Sequence, residues 1–145
     1  MPTIIPTNTK GAMEILEHVV RIRKKTLPED HIYLLASQHA LAIACETNAR
    51  VEEAVKMLEN VVRVKKKRWA GDHPSLLASQ YALAGVYNTA NRTQEALEVI
   101  EHVVRIEKKT LTEDHPRQLN LEEFLARICR DDGRVERAAE NKSTS

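Results

Sequence analysis

A chain of 145 residues with 42% hydrophobic and 30% charged side chains, four glycines and five prolines can bury one core and reads as helix-rich rather than disordered or sheet-rich. Its formal net charge of +1 supplies no drive toward a polyanion, which argues against a nucleic-acid partner. Two cysteines are too few for a disulfide scaffold, and no leader peptide or membrane-length apolar run occurs, so the expectation is a cytoplasmic protein with reduced thiols and no membrane contact.

In chain order, residues 1–8 read as a tail and 9–27 as a helix whose last turn carries Lys24 and Lys25, where cations meet the negative end of the helix dipole. Hairpins follow at 32–68 and 74–109. In the second, Leu76, Leu83, Ala84 and Tyr87 line one face of the first helix. Ala96, Ile100, Val103 and Val104 recur at i, i+4, i+7 and i+8 in its partner, with Leu97 and Ile106 widening the stripe. Asn88 to Arg92 make a short polar turn, which favours antiparallel neighbours. Asp72-His73-Pro74 and Asp114-His115-Pro116 place Pro at a first helical position, where its missing N–H costs nothing. A helix at 116–131, a stub at 134–140 and a tail at 141–145 complete the array, so about seven antiparallel helices are expected.

The organising feature is a repeat of 42 residues. His31, His73 and His115 stand that far apart, LLASQHALA (34–42) returns as LLASQYALA (76–84), and EHVVRIRKKTLPED (17–30) returns as EHVVRIEKKTLTED (101–114). Each period is one pair of amphipathic helices. Such pairs bury one another by stacking, which makes the fold class all-α, an α-solenoid.

Leu83, Ala84, Tyr87 and Ala96, with Leu41, Ala42 and Ala54 and with Leu125, Ala126 and Ala138, resemble the signature of tetratricopeptide repeats. The 42-residue period and the D-H-P-x-x-L lead-in resemble the kinesin-light-chain type, and the near-identity of the copies is similar to repeat arrays of fungal NOD-like receptor proteins. The resemblance covers about residues 9–140. It implies a protein-binding scaffold without catalytic activity or cofactor. Departures are Cys45 and Cys129 at the tyrosine position, and Ala49 and Asn91 where the helix-turn glycine survives only as Gly133. No G-x-x-x-x-G-K-[ST] run marks a nucleotide-binding engine.

Residues that might carry chemistry have plainer readings. The histidines that recur with the repeat are expected to be structural rather than metal ligands, and no metal site is expected. Cys45 and Cys129, two periods apart, are too distant for a disulfide and are expected to be small core residues. The basic run Arg63-Val64-Lys65-Lys66-Lys67-Arg68 is broken by a core valine and reads as a solvated helix end, with nucleic-acid or anionic-lipid binding as the competing reading. Trp69 is expected to pack at the junction between repeats. No constellation with catalytic spacing appears; an enzyme would need a pocket around His39, Glu46 or Tyr81.

The resemblance places a ligand groove on the first helices of the repeats. Its positions are His39, Ile43, Glu46 and Thr47, then Tyr81, Gly85, Asn88 and Thr89, then Glu123, Arg127, Arg130 and Asp131. A mixed or acidic peptide is the expected occupant, because Arg127 and Arg130 can fork onto carboxylates. The array also opens with an unpaired second-type helix and closes on a truncated one, so exposed apolar ends are expected to self-associate. A ligand-sensing module remains the other non-catalytic alternative.

Overall fold

A computed structural model describes residues 9–110 and 115–144, with side chains described for 10–109 and 115–130. Six helices occupy them: α1 (Thr9–Thr26), α2 (Ile32–Thr47), α3 (Val51–Arg68), α4 (Pro74–Thr89), α5 (Thr93–Thr110) and α6 (Pro116–Thr144). The starts of α1, α3 and α5 fall 42 residues apart, as do those of α2, α4 and α6. Each helix packs on the next, and α2 also meets α4. This is a tetratricopeptide-like solenoid of two complete hairpins, α2/α3 and α4/α5, flanked by a second-type helix at one end and a first-type helix at the other.

Local chemistry sets the helix ends. The imidazole Nδ1 atoms of His31, His73 and His115 accept hydrogen bonds from the backbone N–H groups of Tyr33, Ser75 and Arg117 at 3.0 to 3.1 Å. The recurrent histidines therefore satisfy donors that the first turn of a helix leaves open. At the other ends of α2 and α4, Ala49 (φ 64) and Asn91 (φ 63) adopt the left-handed conformation. Arg50 N donates to Cys45 O and Ala49 N to Glu46 O, and Arg92 and Asn91 repeat both bonds to Tyr87 and Asn88. That pair of bonds is a Schellman close, and it reverses the chain without a glycine.

One core runs the length of the stack, from Met13 and Val20 through Ala42, Ala54, Leu58, Ala84 and Ile100 to Leu121, Phe124 and Ile128. Each fully buried Leu or Ile is worth roughly 1.5–3 kcal/mol. A smaller cluster of Leu35, Val61 and Val64 is closed by Trp69. The indole stacks on His73 at 4.5 Å, with Arg68 over its ring at 5.2 Å. Trp69 thus packs at the junction between the first and second hairpins.

The C-terminal expectations are corrected. The backbone of α6 continues through Gly133 to Thr144, so the turn expected before 134–140 and the start of the tail expected from 141 give way to one helix, making six helices among the described residues where about seven were expected. A single glycine costs about 1 kcal/mol inside a helix but does not impose a turn. Among the described residues no second helix folds back on α6, and Ala126 and Cys129 are exposed, whereas Ala84 and Cys45 at the matching positions are buried. Cys129 is therefore not the core residue expected, and neither cysteine is disulfide-bonded. The expected N-terminal tail lies outside the described residues.

Candidate partner-binding groove

The first helices α2, α4 and α6 form one face, and side chains cross between them. Thr89 Oγ1 donates to Glu46 Oε2 at 2.6 Å, and His39 Nδ1 meets Ser79 Oγ at 3.0 Å, both joining α2 to α4. Tyr81 and Phe124 meet at 4.9 Å between α4 and α6. A cleft of about 300 Å³ opens between α4 and α6, lined by Ala78, Tyr81, Arg117, Asn120 and Leu121. Farther along α6, the Arg127 guanidinium lies over the Phe124 ring at 4.9 Å. Among the described residues, neither Arg127 nor Arg130 has a carboxylate partner, while Arg117 is held by Glu107 at 2.9 Å.

The expected groove residues fall into two groups on this face. Ile43, Thr47, Thr89, Glu123, Arg127 and Arg130 are exposed, whereas His39, Glu46, Tyr81, Gly85 and Asn88 are half-buried. His39 and Glu46 already have partners within the array, so they tie hairpins together as much as they face solvent. The side chain of Asp131 lies outside the described residues. Gly85 leaves open space where a Cβ would sit. Sequence reasoning missed the floor of the cleft. Leu121 replaces Ser37 and Ser79 of the earlier repeats, and Phe124 replaces Ala40 and Ala82; those two small-to-large changes were the available signal.

Comparison with known proteins fits the geometry. A tetratricopeptide-repeat family model matches residues 8–33 and 76–117. The crystal structure of nearly identical TPR-like repeats from a Podosopora anserina protein described as a kinesin light chain superposes with a TM-score of 0.85 at 45% identity, covering 92% of this chain and 64% of that one. This chain belongs to the tetratricopeptide repeats of kinesin-light-chain type. A point variant of the same Podosopora anserina protein superposes with a TM-score of 0.84 at 45% identity, covering 92% of this chain and 63% of that one. The chain thus spans under two thirds of the relatives it matches. Among curated proteins none matches it. Tetratricopeptide repeats generally mediate protein–protein interaction, and no described helix of this array is long and apolar enough to cross a membrane.

The tetratricopeptide array also carries buried polar clamps that the hydrophobic pattern does not show. Residues 23, 65 and 107 occupy one repeat position near the end of each second helix. Arg23 donates to Ser37 Oγ at 2.7 Å and Tyr33 O at 3.0 Å; Lys65 donates to Ser79 Oγ at 2.8 Å and Ser75 O at 3.2 Å. In the third copy the charge is reversed, and buried Glu107 accepts from Arg117 Nε. Burial pushes the Lys65 ammonium below its usual range, and burial together with Lys65 does the same to the His39 imidazole. Lys65, Ser79 and His39 look like parts of a nucleophile site, but the Ser79 hydroxyl is fully buried and out of reach of any external substrate.

A second recurrent set surrounds Arg50 and Arg92. Arg50 reaches Glu53 at 2.6 Å and Glu17 at 3.4 Å. Arg92 reaches Glu95 at 2.7 Å and Glu59 at 3.8 Å, and lies 4.8 Å from the Tyr87 ring centre. Tyr87 Oη donates to Glu59 Oε2 at 2.5 Å, and burial with that bond raises the phenol above its usual range. Basic residues of 63–68 are likewise engaged: Arg63 with Glu29 at 3.6 Å, Arg68 with Asp30 at 3.5 Å, and Lys65 with Ser79. Among the described residues Lys66 and Lys67 of this run make no such contact, and the engagement of the other three weakens the nucleic-acid and lipid readings.

Proposed function

We propose that this chain is a non-catalytic scaffold that holds a partner peptide on the face of α2, α4 and α6, with an apolar side chain in the Tyr81–Leu121 cleft and an acidic residue on Arg127 and Arg130. The observation that carries the reading is the cleft itself, apolar at Tyr81 and Leu121, with the Arg127 guanidinium farther along α6 over Phe124 and, among the described residues, no carboxylate paired with it. A half-buried aromatic beside arginine is the combination that dominates binding energy at protein interfaces. Guanidinium pairs suit carboxylates by geometry as well as charge. Solenoids offer such extended surfaces because each repeat is rotated slightly against the last.

The test uses a fluorescently labelled peptide library in which leucine or phenylalanine is followed by aspartate or glutamate. Binding by the intact chain should fall at least ~10-fold when Arg127 and Arg130 are both changed to Ala, and again when Tyr81 is changed to Ala. Equal affinity for wild type and the double arginine variant would remove this reading.

A further inference from the structure

Two clefts related by the 42-residue repeat differ in one group. The first, of about 380 Å³, lies among α1, α2 and α3, and its walls include Lys24, Glu29, Gln38, Asn60 and Arg63. The second, of about 220 Å³, lies among α3, α4 and α5, with Lys66, Gln80 and His102 set beside apolar Val62, Leu83 and Val99. Lys24 and Lys66, Gln38 and Gln80, and Asn60 and His102 are matching repeat positions. In the first cleft the chain supplies its own anion: Arg63 reaches the Glu29 carboxylate at 3.6 Å and donates to Asn60 Oδ1 at 2.6 Å. The matching residues of the second are Arg105, His102 and, in place of Glu29, Gly71. The cations are kept and the acid is gone. Lys66, His102 and Arg105 have no carboxylate within ion-pair distance among the described residues. Burial, then Arg105 and Lys66, hold the His102 imidazole below its usual range, which sets both cations beside it. Gln80, only 4% exposed, lines this cleft with a carboxamide Oε1 that has no hydrogen-bond partner. Gln38 Oε1 is in the same state in the first cleft, because the Glu29 carboxylate has no hydrogen to give.

We propose that the cleft among α3, α4 and α5 holds a glutamate or aspartate side chain of a partner protein, its carboxylate on Lys66 and Arg105 and a neighbouring backbone N–H of the partner on Gln80 Oε1. The first cleft is the template for the occupant, since Glu29 already places a carboxylate on the matching arginine. Guanidinium and ammonium groups favour that anion, and a buried acceptor without a donor favours a ligand that brings one. The cleft is smaller than a typical small-molecule pocket and suits one side chain of a larger partner. Glu98 lines it too, and one carboxylate against Lys66 and Arg105 leaves the rim positive. By helical spacing, Gln80 and Leu83 lie on the side of α4 turned away from Tyr81, Gly85 and Asn88. This site is therefore separate from the face of α2, α4 and α6 and does not rest on the function proposed for that face.

The probe is the peptide acetyl-Ala-Glu-Ala-amide, titrated into the isotope-labelled intact chain and followed by NMR, with acetyl-Ala-Gln-Ala-amide as the uncharged control. The Gln80 side-chain amide and the signals of Lys66, His102 and Arg105 should shift together with a Kd of roughly 1–10 mM. The control peptide should bind at least ~5-fold more weakly. Gly71→Glu restores the internal carboxylate, and nothing lies within 4 Å of where its Cβ would sit, so the fold is kept. A tethered carboxylate competes at millimolar effective concentration, and the Kd should rise at least ~5-fold. Lys66→Gln with Arg105→Gln, both exposed positions, should weaken binding as much. Arg127→Ala with Arg130→Ala should leave these shifts unchanged. An unshifted Gln80, equal binding of the two peptides, or unchanged affinity in Gly71→Glu each overturns the proposal. So does loss of the shifts in the Arg127 and Arg130 variant, which would put the peptide on the other face.

Discussion

A residue that looks like a ligand can be answering a backbone need. Each of the three recurrent histidines gives its Nδ1 to an N–H two residues on, so histidine serves here as the helix N-cap. Ala49 shows the opposite situation. It occupies a left-handed backbone position, φ 64, where a Cβ costs roughly 1–2 kcal/mol and glycine nothing comparable. Ala49→Gly should therefore stabilise the chain by ~1 kcal/mol, less than the full strain because glycine also loosens the unfolded chain. Urea unfolding should show a higher midpoint with an unchanged slope. A lower midpoint would mean that the turn is held by its Schellman bonds at no steric cost.

At the scale of elements, the hydrophobic stripe places helices side by side, and the polar clamps select which neighbour each second helix locks to. Lys65 to Ser79 and Glu107 to Arg117 do the same work with opposite charge. Arg117→Ala removes a guanidinium partner from buried Glu107 and should cost ~2 kcal/mol, below the loss for a fully buried pair because Arg117 itself is partly exposed. The double change Glu107→Lys with Arg117→Ser brings the second repeat's ammonium into the third while keeping buried Leu121, and should recover part of that loss. Thermal unfolding of the two variants decides it; equal melting temperatures would show that the clamp is not transferable. Cys129 belongs at this scale too. The matching residues Cys45 and Tyr87 are buried where a second-type helix packs on theirs, and the exposure of Cys129 goes with the lack of such a helix among the described residues rather than with a property of cysteine.

For the whole molecule, stacking changes how the array responds to acid. Burial, then Lys65, holds the His39 imidazole below its usual range, and burial, then Arg105 and Lys66, does so for His102. His39 reaches from α2 to Ser79 on α4, so its environment exists only when hairpins are stacked. The unfolded chain binds these protons more readily than the native one, so stability is lost as pH falls below the ordinary imidazole value of about 6.5. Urea midpoints should drop between pH 7.5 and pH 5, and His39→Gln, which keeps a hydrogen-bonding group toward Ser79 but does not titrate, should flatten part of the drop. An unchanged slope in that variant would assign the effect to other groups.

The repeat, the number of complete hairpins and the tetratricopeptide register were legible in the chain because side-chain periodicity is a local property. Leu83, Ala84 and Ala96 announce their packing by spacing alone, and 42-residue identity announces the stack. Contacts between elements were not legible in that way. Whether Gly133 turns the chain, whether Cys129 is covered, and which hydroxyl meets Lys65 depend on a neighbour supplied by another part of the fold, and spacing along one helix carries no record of that neighbour.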